Sequence, residues 1–394
     1  MTIRQIAIVA DDLTGATDSV LQFHEAGWDA YLLMGLPLDV GADSDRATSC
    51  STDSRALSTH KAAERTQQAV CSALGSGAQQ IYLKIDSTMR GSVAGQISGA
   101  LSAWRRAHPA AKAVVCSAYP AMGRTIQNGR LLVNGADVTD SPAGRDPVTP
   151  VTTSALTALI PGAVSLLPGS DPEKLAWAIR AAGAEVVVVD ATSDEDLQVL
   201  AEAVSALGMD AIPVGSAGLA APLAQLWRGR ARSRSSKIAP PGAGVTVLVS
   251  SLHDVALRQL AHAQTVFGSR MQILTQDGAI QKNTDSADIT VVRSIGDREE
   301  NPREMADRLA RQVVATLESG QALILVGGDG AQATLDLLGA QALHLVARAA
   351  EGVPLSQIVG GAHDGTWVIT KSGGFGAETT LSELLTILTT GGKV

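Results

Sequence analysis

The chain has 394 residues and a formal net charge of −8, with 45% apolar and 18% charged residues. This length accommodates two domains that each bury a core. No apolar run reaches the roughly 18 residues of a membrane-spanning helix, and the N-terminal segment MTIRQIAIVADD lacks the pattern of a secretory signal. We therefore expect a cytoplasmic protein with no membrane partner.

Cysteine and aromatic content argue against further classes. The three cysteines lie in separate segments without CxxC spacing or histidines at metal-ligand spacing, so neither disulfides nor a structural metal is predicted. An acidic chain with only three Tyr, three Phe and five Trp is a poor candidate for nucleic-acid binding. A protein of this charge that handles anions has to gather its cations locally, beside glycine turns.

Short β-branched runs alternate with helical stretches, which predicts mostly parallel sheets. In the first half the predicted strands are Ile6 to Val9, Ala30 to Leu33, Ile81 to Ile85, Ala113 to Cys116 and Val186 to Val189. In the second half they are Val245 to Val249, Met271 to Leu274, Ile289 to Val292, Ala322 to Val326 and Trp367 to Thr370. Between them residues 229–244 are rich in basic, Ser, Pro and Gly residues without periodicity, as in a linker. The predicted fold is therefore two α/β domains, residues 1–230 and 245–394.

The first predicted strand ends in two carboxylates, Asp11 and Asp12, ahead of Thr14 and Gly15. Ligands of open α/β sheets bind at such carboxyl ends of strands. An N-cap of the next helix would explain one of these acids, but two adjacent acids less well. We interpret the pair as part of a functional site.

Arg55 follows a weak strand near Thr48, and the segment Lys84-Ile-Asp86-Ser87-Thr88-Met-Arg90-Gly follows a stronger one. Strand alternation would send Lys84 and Asp86 to one face, where they either share a site or neutralise each other. With Arg55 and Arg90 added, the group resembles a clamp for a carboxylate or a phosphate.

The segment Tyr119 to Arg130 combines turn residues with hydrogen-bond donors, among them Arg124 and Asn128. Asn128-Gly129 is a strong hairpin signal, so the segment is either only a hairpin or a loop that faces an anion.

In the second half, two predicted strands run into glycine turns. One turn is Gly327-Gly328-Asp329-Gly330 and the other is Lys371-Ser-Gly373-Gly374. Glycines let the backbone approach phosphate oxygens, and helix N-termini add donors, although glycine also serves in ordinary caps. The chain has no GxxxxGK[ST], no GxGxxG after the first strand, no HExxH and no GxSxG, which disfavours the common nucleotide and hydrolase folds.

Taken in order, the motifs resemble the four-carbon acid sugar kinase family over nearly the whole chain. The matching segments are ADDLTGATD (10–18), DSR (53–55), KIDSTMRG (84–91), YPAMGRTIQNGR (119–130), RDPVTPV (145–151), PVGSAGLA (213–220), LVGGDGA (325–331) and KSGGFG (371–376). The resemblance implies ATP-dependent phosphorylation of threonate, erythronate or 3-oxo-tetronate at the terminal hydroxyl. It also implies an N-terminal substrate domain, a C-terminal nucleotide domain and an active site in the interdomain cleft. A homodimer is considered by analogy only.

Two groups of site residues are expected, and the resemblance implies most of them. Asp12, Arg55, Lys84, Asp86, Ser87 and Arg90 would hold the acid sugar, and Asp11, Thr88, Arg124 and Asn128 complete the expected substrate set. Ser251, Gly327 to Gly330, Lys371, Gly373 and Gly374 would hold ATP, with which Mg²⁺ would travel; no dedicated metal ligands are expected. Asp12 or Asp86 would accept the hydroxyl proton, with Asp12 favoured because Lys84 engages Asp86 in this interpretation.

The chain departs from the family pattern where the nucleotide is expected. The family usually has Gly-Ser-X-Ser and then a Thr before a Gln, whereas this chain has Ser250-Ser251-Leu-His253, followed by Ala256 and Gln259. The usual Thr of the first glycine turn is Gly330, and Gln96 replaces a common acid. Two alternatives therefore stay open: a non-catalytic protein that binds acid sugars without productive ATP binding, or a kinase for a different hydroxy acid.

Overall fold

The computed structural model describes residues 3–36, 45–228, 244–275, 287–294 and 301–390. The chain divides into two compact units, Met1–Ser233 and Arg234–Val394, and most of the predicted linker lies outside the described residues. Each predicted strand is present, with ends shifted by at most one residue. The prediction of an α/β fold with mostly parallel sheets is confirmed.

The first unit holds an eight-stranded sheet and a three-stranded one. Its elements are β1 (Gln5–Ala10), α1 (Leu13–Glu25), β2 (Asp29–Leu33), β3 (Arg46–Ser51), α2 (Thr59–Gly75), β4 (Gln80–Lys84), α3 (Val93–Trp104), β5 (Lys112–Cys116), β6 (Arg124–Gln127), β7 (Arg130–Val133), β8 (Ala136–Asp137), α4 (Leu156–Leu159), β9 (Val164–Leu166), α5 (Pro172–Ala181), β10 (Val186–Val189), α6 (Asp194–Leu207), β11 (Ala211–Gly215) and α7 (Ala217–Trp227).

The larger sheet runs β2-β3-β1-β4-β11-β5-β10-β9, and its strands are parallel. Its central strands are apolar and buried, as expected for a sheet with helices on its faces. Because parallel strands end at the same edge, the segments after β3, β1 and β4 lie side by side. That edge carries Arg55, the Asp11-Asp12 pair and Asp86.

The second unit is built the same way from β12 (Val245–Val249), α8 (Asp254–Phe267), β13 (Met271–Thr275), β14 (Ile289–Arg293), α9 (Pro302–Thr316), β15 (Ala322–Val326), α10 (Gly328–Leu337), β16 (Ala342–Ala350), β17 (Val353–Val359), β18 (Trp367–Lys371) and α11 (Thr380–Thr390). The order is β13-β14-β12-β15-β18-β17-β16. The strands from β13 to β18 are parallel, and β17 and β16 add an antiparallel pair. The ends of β12, β15 and β18 are neighbours, which brings Ser250 and the two glycine turns together.

Candidate functional sites

Arg55 is the centre of the polar site in the first unit. Its Nε and Nη2 donate to the two carboxylate oxygens of Asp11 at 2.7 and 3.0 Å. Its Nη1 lies 2.7 Å from Asp12 Oδ2, and its Nη2 lies 3.7 Å from Asp86 Oδ1. The backbone supports the arrangement, since the Ser54 and Arg55 N–H groups donate to the carbonyl of Asp11. One guanidinium therefore joins three carboxylates that follow two different strands.

Asp12 is the N-cap of α1 as well as a member of this cluster. Its Oδ1 accepts a hydrogen bond from the Gly15 N–H at 2.7 Å, while its Oδ2 faces Arg55. The helix-cap and functional interpretations of Asp12 are thus both compatible with its geometry. Asp12 is half-buried, whereas Asp11 is buried.

Asp86 is held by more donors than the other two acids. Its oxygens accept from Arg90 Nε and Nη2, both at 2.9 Å, from the Thr88 N–H at 3.2 Å, and from the Thr88 hydroxyl. Arg90 in turn donates through Nη1 to Asp146 Oδ2 at 3.2 Å. Thr88 and Arg90 therefore bind a protein carboxylate rather than project as unpaired donors.

The surroundings shift the two buried carboxyl groups in opposite directions. Burial raises the pKa of Asp11, and the opposing charge of Arg55 only partly offsets this. For Asp86 burial acts the same way, but the hydrogen bonds from Arg90 and the charge of Arg55 outweigh it and hold the pKa of that carboxyl well below its usual range. Asp86 is thus firmly ionised and a weak proton acceptor.

Lys84 and Ser87 have the fewest protein partners of this site. The buried Lys84 ammonium donates to the carbonyl of Ile85 at 2.9 Å, its one hydrogen bond to a described residue. A Cβ added to Gly15 would lie 2.6 Å from Asp12 Oδ1 and 2.7 Å from Lys84 Nζ, so the glycine is required for both groups to approach. Ser87 is half-buried, and no described residue hydrogen-bonds its hydroxyl.

The expected contact of Lys84 with Asp86 is wrong: the cations beside Asp86 are Arg90 and Arg55, and Lys84 donates to the Ile85 carbonyl. The reason is local. Strand β4 ends at Lys84, so the alternation of side chains does not extend to residue 86. The chain instead turns sharply, with Met89 at φ 64° and Gly91 at φ 87°. A buried methionine in the left-handed region is uncommon and marks a turn that its surroundings constrain.

The structure does not join Arg124 or Asn128 to this cluster through a described contact. Arg124 begins β6 and donates to the carbonyl of Met122. Asn128, at φ 51°, is exposed at the turn between β6 and β7, as the Asn-Gly hairpin signal predicts. Asp146, in contrast, belongs to the cluster but was not predicted as a site residue. It lies in the matching segment 145–151 and binds Arg90.

In the second unit a cavity of about 440 Å³ lies at the ends of β12, β15 and β18. The lining includes Ser250, Ser251, His253, Gly327 to Gly330, Ser372, Gly373 and Gly374, with Met305, Ala306 and Leu309 of α9. The α9 residues were not predicted, because on an amphipathic helix they are indistinguishable from core residues. The predicted glycine turns thus share one cavity with the segment after β12.

Two serine side chains occupy the space that the glycines leave open. A Cβ at Gly330 would lie 2.6 Å from Ser250 Cβ and overlap the Ser250 hydroxyl. A Cβ at Gly327 would overlap the same hydroxyl, and one at Gly373 would overlap that of Ser251. The departures from the family pattern at residues 250 and 330 are therefore in direct contact, with a hydroxyl on one side and no side chain on the other.

Lys371 ends β18 behind the second glycine turn. It is buried, its Nζ donates to the Ser372 carbonyl at 2.8 Å, and its own carbonyl accepts from the Gly327 N–H at 2.9 Å. Burial lowers the pKa of the Lys371 amine to about 8. The lysine thus connects the two glycine turns and retains ammonium donors beyond its bond to Ser372.

These features fit a polyphosphate. Helix α10 starts at Gly328 with no side-chain cap, and the adjacent glycines leave backbone surface on which Cβ atoms would intrude.

No cluster of three His, Cys, Asp or Glu residues that could hold a metal ion occurs among the described ranges. No helix in the described part of the chain is long and apolar enough to cross a membrane.

One α/β unit with an organised carboxylate and guanidinium cluster and a second unit with a glycine-lined cavity are typical of a kinase with separate acceptor and nucleotide domains. Residues 6–223 match the family model described as a sugar-binding N-terminal domain, and residues 253–381 match the one described as a nucleotide-binding C-terminal domain. The chain belongs to the four-carbon acid sugar kinase family.

Similar proteins carry kinase names. A D-threonate kinase of Bordetella bronchiseptica is 38% identical, with 95% of each chain covered. A D-erythronate kinase of Heliobacterium modesticaldum is 25% identical, with 93% of each covered, and a 3-oxo-tetronate kinase of Cupriavidus necator is 27% identical, with 89% of each covered. A solved Bordetella bronchiseptica structure, a domain-swapped dimer with bound citrate, has 36% identity, a TM-score of 0.53 and 98% coverage of each chain.

Proposed function

We propose that this kinase transfers the γ-phosphoryl group of ATP to a hydroxyl of a four-carbon sugar acid. The observation that carries the proposal is the fixed carboxylate of Asp12, which Gly15 and Arg55 hold beside the buried ammonium of Lys84. Threonate, erythronate and 3-oxo-tetronate, named for the relatives, define the substrate class. Citrate, also a hydroxy acid, in the Bordetella structure supports an organic-anion site.

Asp12 is the proposed general base. Its carboxylate is in contact with Arg55, and its side chain is more exposed than that of Asp86. Asp86 already accepts from Arg90 and Thr88, and its lowered pKa makes it a poor proton acceptor. The acceptor oxygen would lose its proton to Asp12 as it bonds to phosphorus and as the bond from phosphorus to the ADP oxygen breaks.

Lys84 and Ser87 are the proposed contacts for the sugar carboxylate. Lys84 has ammonium donors left, and Ser87 has an unengaged hydroxyl among the described residues. Arg55 and Arg90 are committed to protein carboxylates and would instead keep Asp11, Asp12 and Asp86 in place. Arg124 and Asn128 stay predicted contacts of the outer part of the substrate.

The glycine turns and Lys371 are the proposed holders of the ATP phosphates, with Ser251 and Asp329 at their border. When bound with ATP, Mg²⁺ supplies positive charge to the phosphate oxygens. The transfer requires the two sites to meet in an interdomain cleft, which is part of the proposal. Such transfer depends mostly on positioning and charge, which are what rigid donors provide.

The contact between Ser250 and Gly330 favours a kinase over a protein that binds acid sugars alone. Two unrelated substitutions in a decaying nucleotide site would leave an empty space or a steric overlap between residues 250 and 330. Here the Ser250 side chain fills the space that Gly330 leaves open. Whether the kinase instead prefers another hydroxy acid is decided by comparing turnover over a panel of substrates.

The test is ADP release measured over a panel of C3 to C6 sugar acids with ATP and Mg²⁺. Turnover with a four-carbon acid, and much less with C3, C5 and C6 acids, is expected. Turnover only with acids of another chain length would show that the proposed four-carbon substrate class is wrong. No turnover with any acid, together with no ATP binding by calorimetry, would overturn the proposal in favour of an acid-sugar binding protein. A homodimer is proposed from the Bordetella structure and is tested by light scattering.

A further inference from the structure

His253 occupies a position from which one ring nitrogen can face a ligand. It precedes α8 and is exposed, and its Nδ1 accepts a hydrogen bond from the Val255 N–H at 3.2 Å. Its own N–H donates to Ser251 Oγ at 3.2 Å, which ties it to the serine packed against Gly373. When Nδ1 of a neutral imidazole accepts, Nε2 carries the proton, so Nε2 is a donor.

The Nε2 atom lies against the second glycine turn. A Cβ built on Gly374 would lie 3.3 Å from His253 Nε2, and 3.5 and 3.6 Å from Cδ2 and Cε1. Because the three distances are nearly equal, the ring presents its face to Gly374 with Nε2 nearest, and both residues line the 440 Å³ cavity. No described residue accepts a hydrogen bond from Nε2. A fixed donor without a protein acceptor, among backbone amides, is suited to an external anion.

We infer that His253 Nε2–H donates a hydrogen bond to a phosphate oxygen of the bound nucleotide. The inference rests on the proposed function and extends it, since it adds a side-chain donor to a cavity otherwise lined by glycine backbone. Val255 and Ser251 hold the ring and the backbone before any ligand arrives. A hydrogen bond to a charged acceptor is worth enough to make its loss measurable as affinity.

The experiment uses the full chain and compares His253→Ser and His253→Asn with the unaltered protein. Both replacements retain a side-chain oxygen that can cap α8, so the helix start is preserved while the Nε2 donor is lost. Calorimetric titration with ATP-Mg and with ADP should show about tenfold weaker binding for each variant, the loss expected for a charge-assisted hydrogen bond. Adenosine binding should be unchanged. His363→Asn, a histidine outside the cavity lining, is the matched control.

A spectroscopic readout separates a direct contact from a structural effect. In protein labelled with ¹⁵N at histidine, ADP should shift the Nε2 resonance of His253 and leave Nδ1 in its accepting state. Equal ATP affinity for the variants and the unaltered protein, or an unshifted Nε2 resonance in saturated protein, would overturn the inference while leaving the proposed function intact. Absence of nucleotide binding by the unaltered protein would overturn both.

Discussion

The Ser250 side chain occupies the space beside Gly330, and its Cβ would lie 2.6 Å from a Cβ added at residue 330. The cavity wall therefore has room for a side chain at one of the two positions only. The same added Cβ would lie 3.0 Å from Leu248 Cδ2, so a side chain at residue 330 would be crowded by two neighbours.

Gly330→Ala should consequently lower the free energy of unfolding by about 2 kcal/mol, the usual cost of overpacking. Ser250→Gly together with Gly330→Ala should restore most of that loss, as expected for residues in contact. Urea denaturation measures the free energy of unfolding of the single and the double variant. Additive effects in the double variant would show that the two positions do not compete for the same space.

Asp12→Asn should reduce turnover by about 10²- to 10⁴-fold, the usual contribution of a general base, with little change in ATP affinity. Asparagine retains the bond from the Gly15 N–H, so the start of α1 is preserved. Asp53→Asn is the matched control, because residue 53 is exposed on the neighbouring loop and asparagine accepts its φ of 46°. If Asp12→Asn turned over normally and Asp86→Asn did not, Asp86 would be the base.

Asp86→Asn should destabilise the first unit by about 2 kcal/mol at pH 7, because Arg90 and Arg55 lose a buried charged partner. The folded-state pKa of Asp86 is lowered, so its stabilisation is present above the unfolded-state pKa of about 4 and is lost as the pH falls below it. The difference between the two proteins should therefore shrink from pH 5 to pH 3 in thermal unfolding. A constant difference would contradict the assigned cause.

Nucleotide binding should be accompanied by proton uptake near pH 8 to 9. Burial lowers the pKa of Lys371 to about 8, so much of the amine is neutral there, and phosphate charge favours the ammonium form. Calorimetry in two buffers of different ionisation enthalpy measures the uptake. Lys371→Arg should bind without uptake because arginine stays charged, and Lys371→Met should bind more weakly. A binding enthalpy independent of buffer in the unaltered protein would contradict this expectation.

Ser87→Ala should raise the KM for the sugar acid several-fold and leave ATP affinity unchanged, since one neutral hydrogen bond is lost. Asn128→Gly is the comparison, because glycine fits φ 51° at the hairpin turn and removes the side chain alone. A raised KM in Asn128→Gly would establish the predicted contact of Asn128, which no described interaction joins to the cluster.

Periodicity predicted the parallel strands well because β-branched runs such as Val186–Val189 and Val245–Val249 are buried on both faces of a sheet. It did not predict β16, whose sequence ALHLVARAA is rich in helix-forming residues and is held extended by pairing with β17. That pairing depends on contacts that no local pattern records.

Most members of the cluster around Arg55 were predicted, although Asp146 was missed and Arg124 and Asn128 do not join it, whereas the pairing was not predicted. Residues at adjacent strand ends were expected to meet, and Arg55 does join Asp11, Asp12 and Asp86. Which cation binds which acid depends on the turn at Met89, where the backbone leaves the geometry of the strand. His253 could be recognised only as an unusual residue, because its orientation depends on the cap of α8 and on Gly374.

The sharing of Arg55 among three acids limits how this enzyme can acquire new substrates. Replacing Arg55 or one of the three acids would weaken the ion pairs that hold neighbouring strand ends together as well as change the chemistry. Such a variant would lose folding stability before it could gain a new substrate specificity. Substitution of Ser87 should cost less folding stability, because no described residue hydrogen-bonds its hydroxyl, so its proposed substrate contact can change without disturbing the network. Directed evolution of acceptor specificity should accordingly randomise positions such as Ser87 and leave Arg55 unchanged.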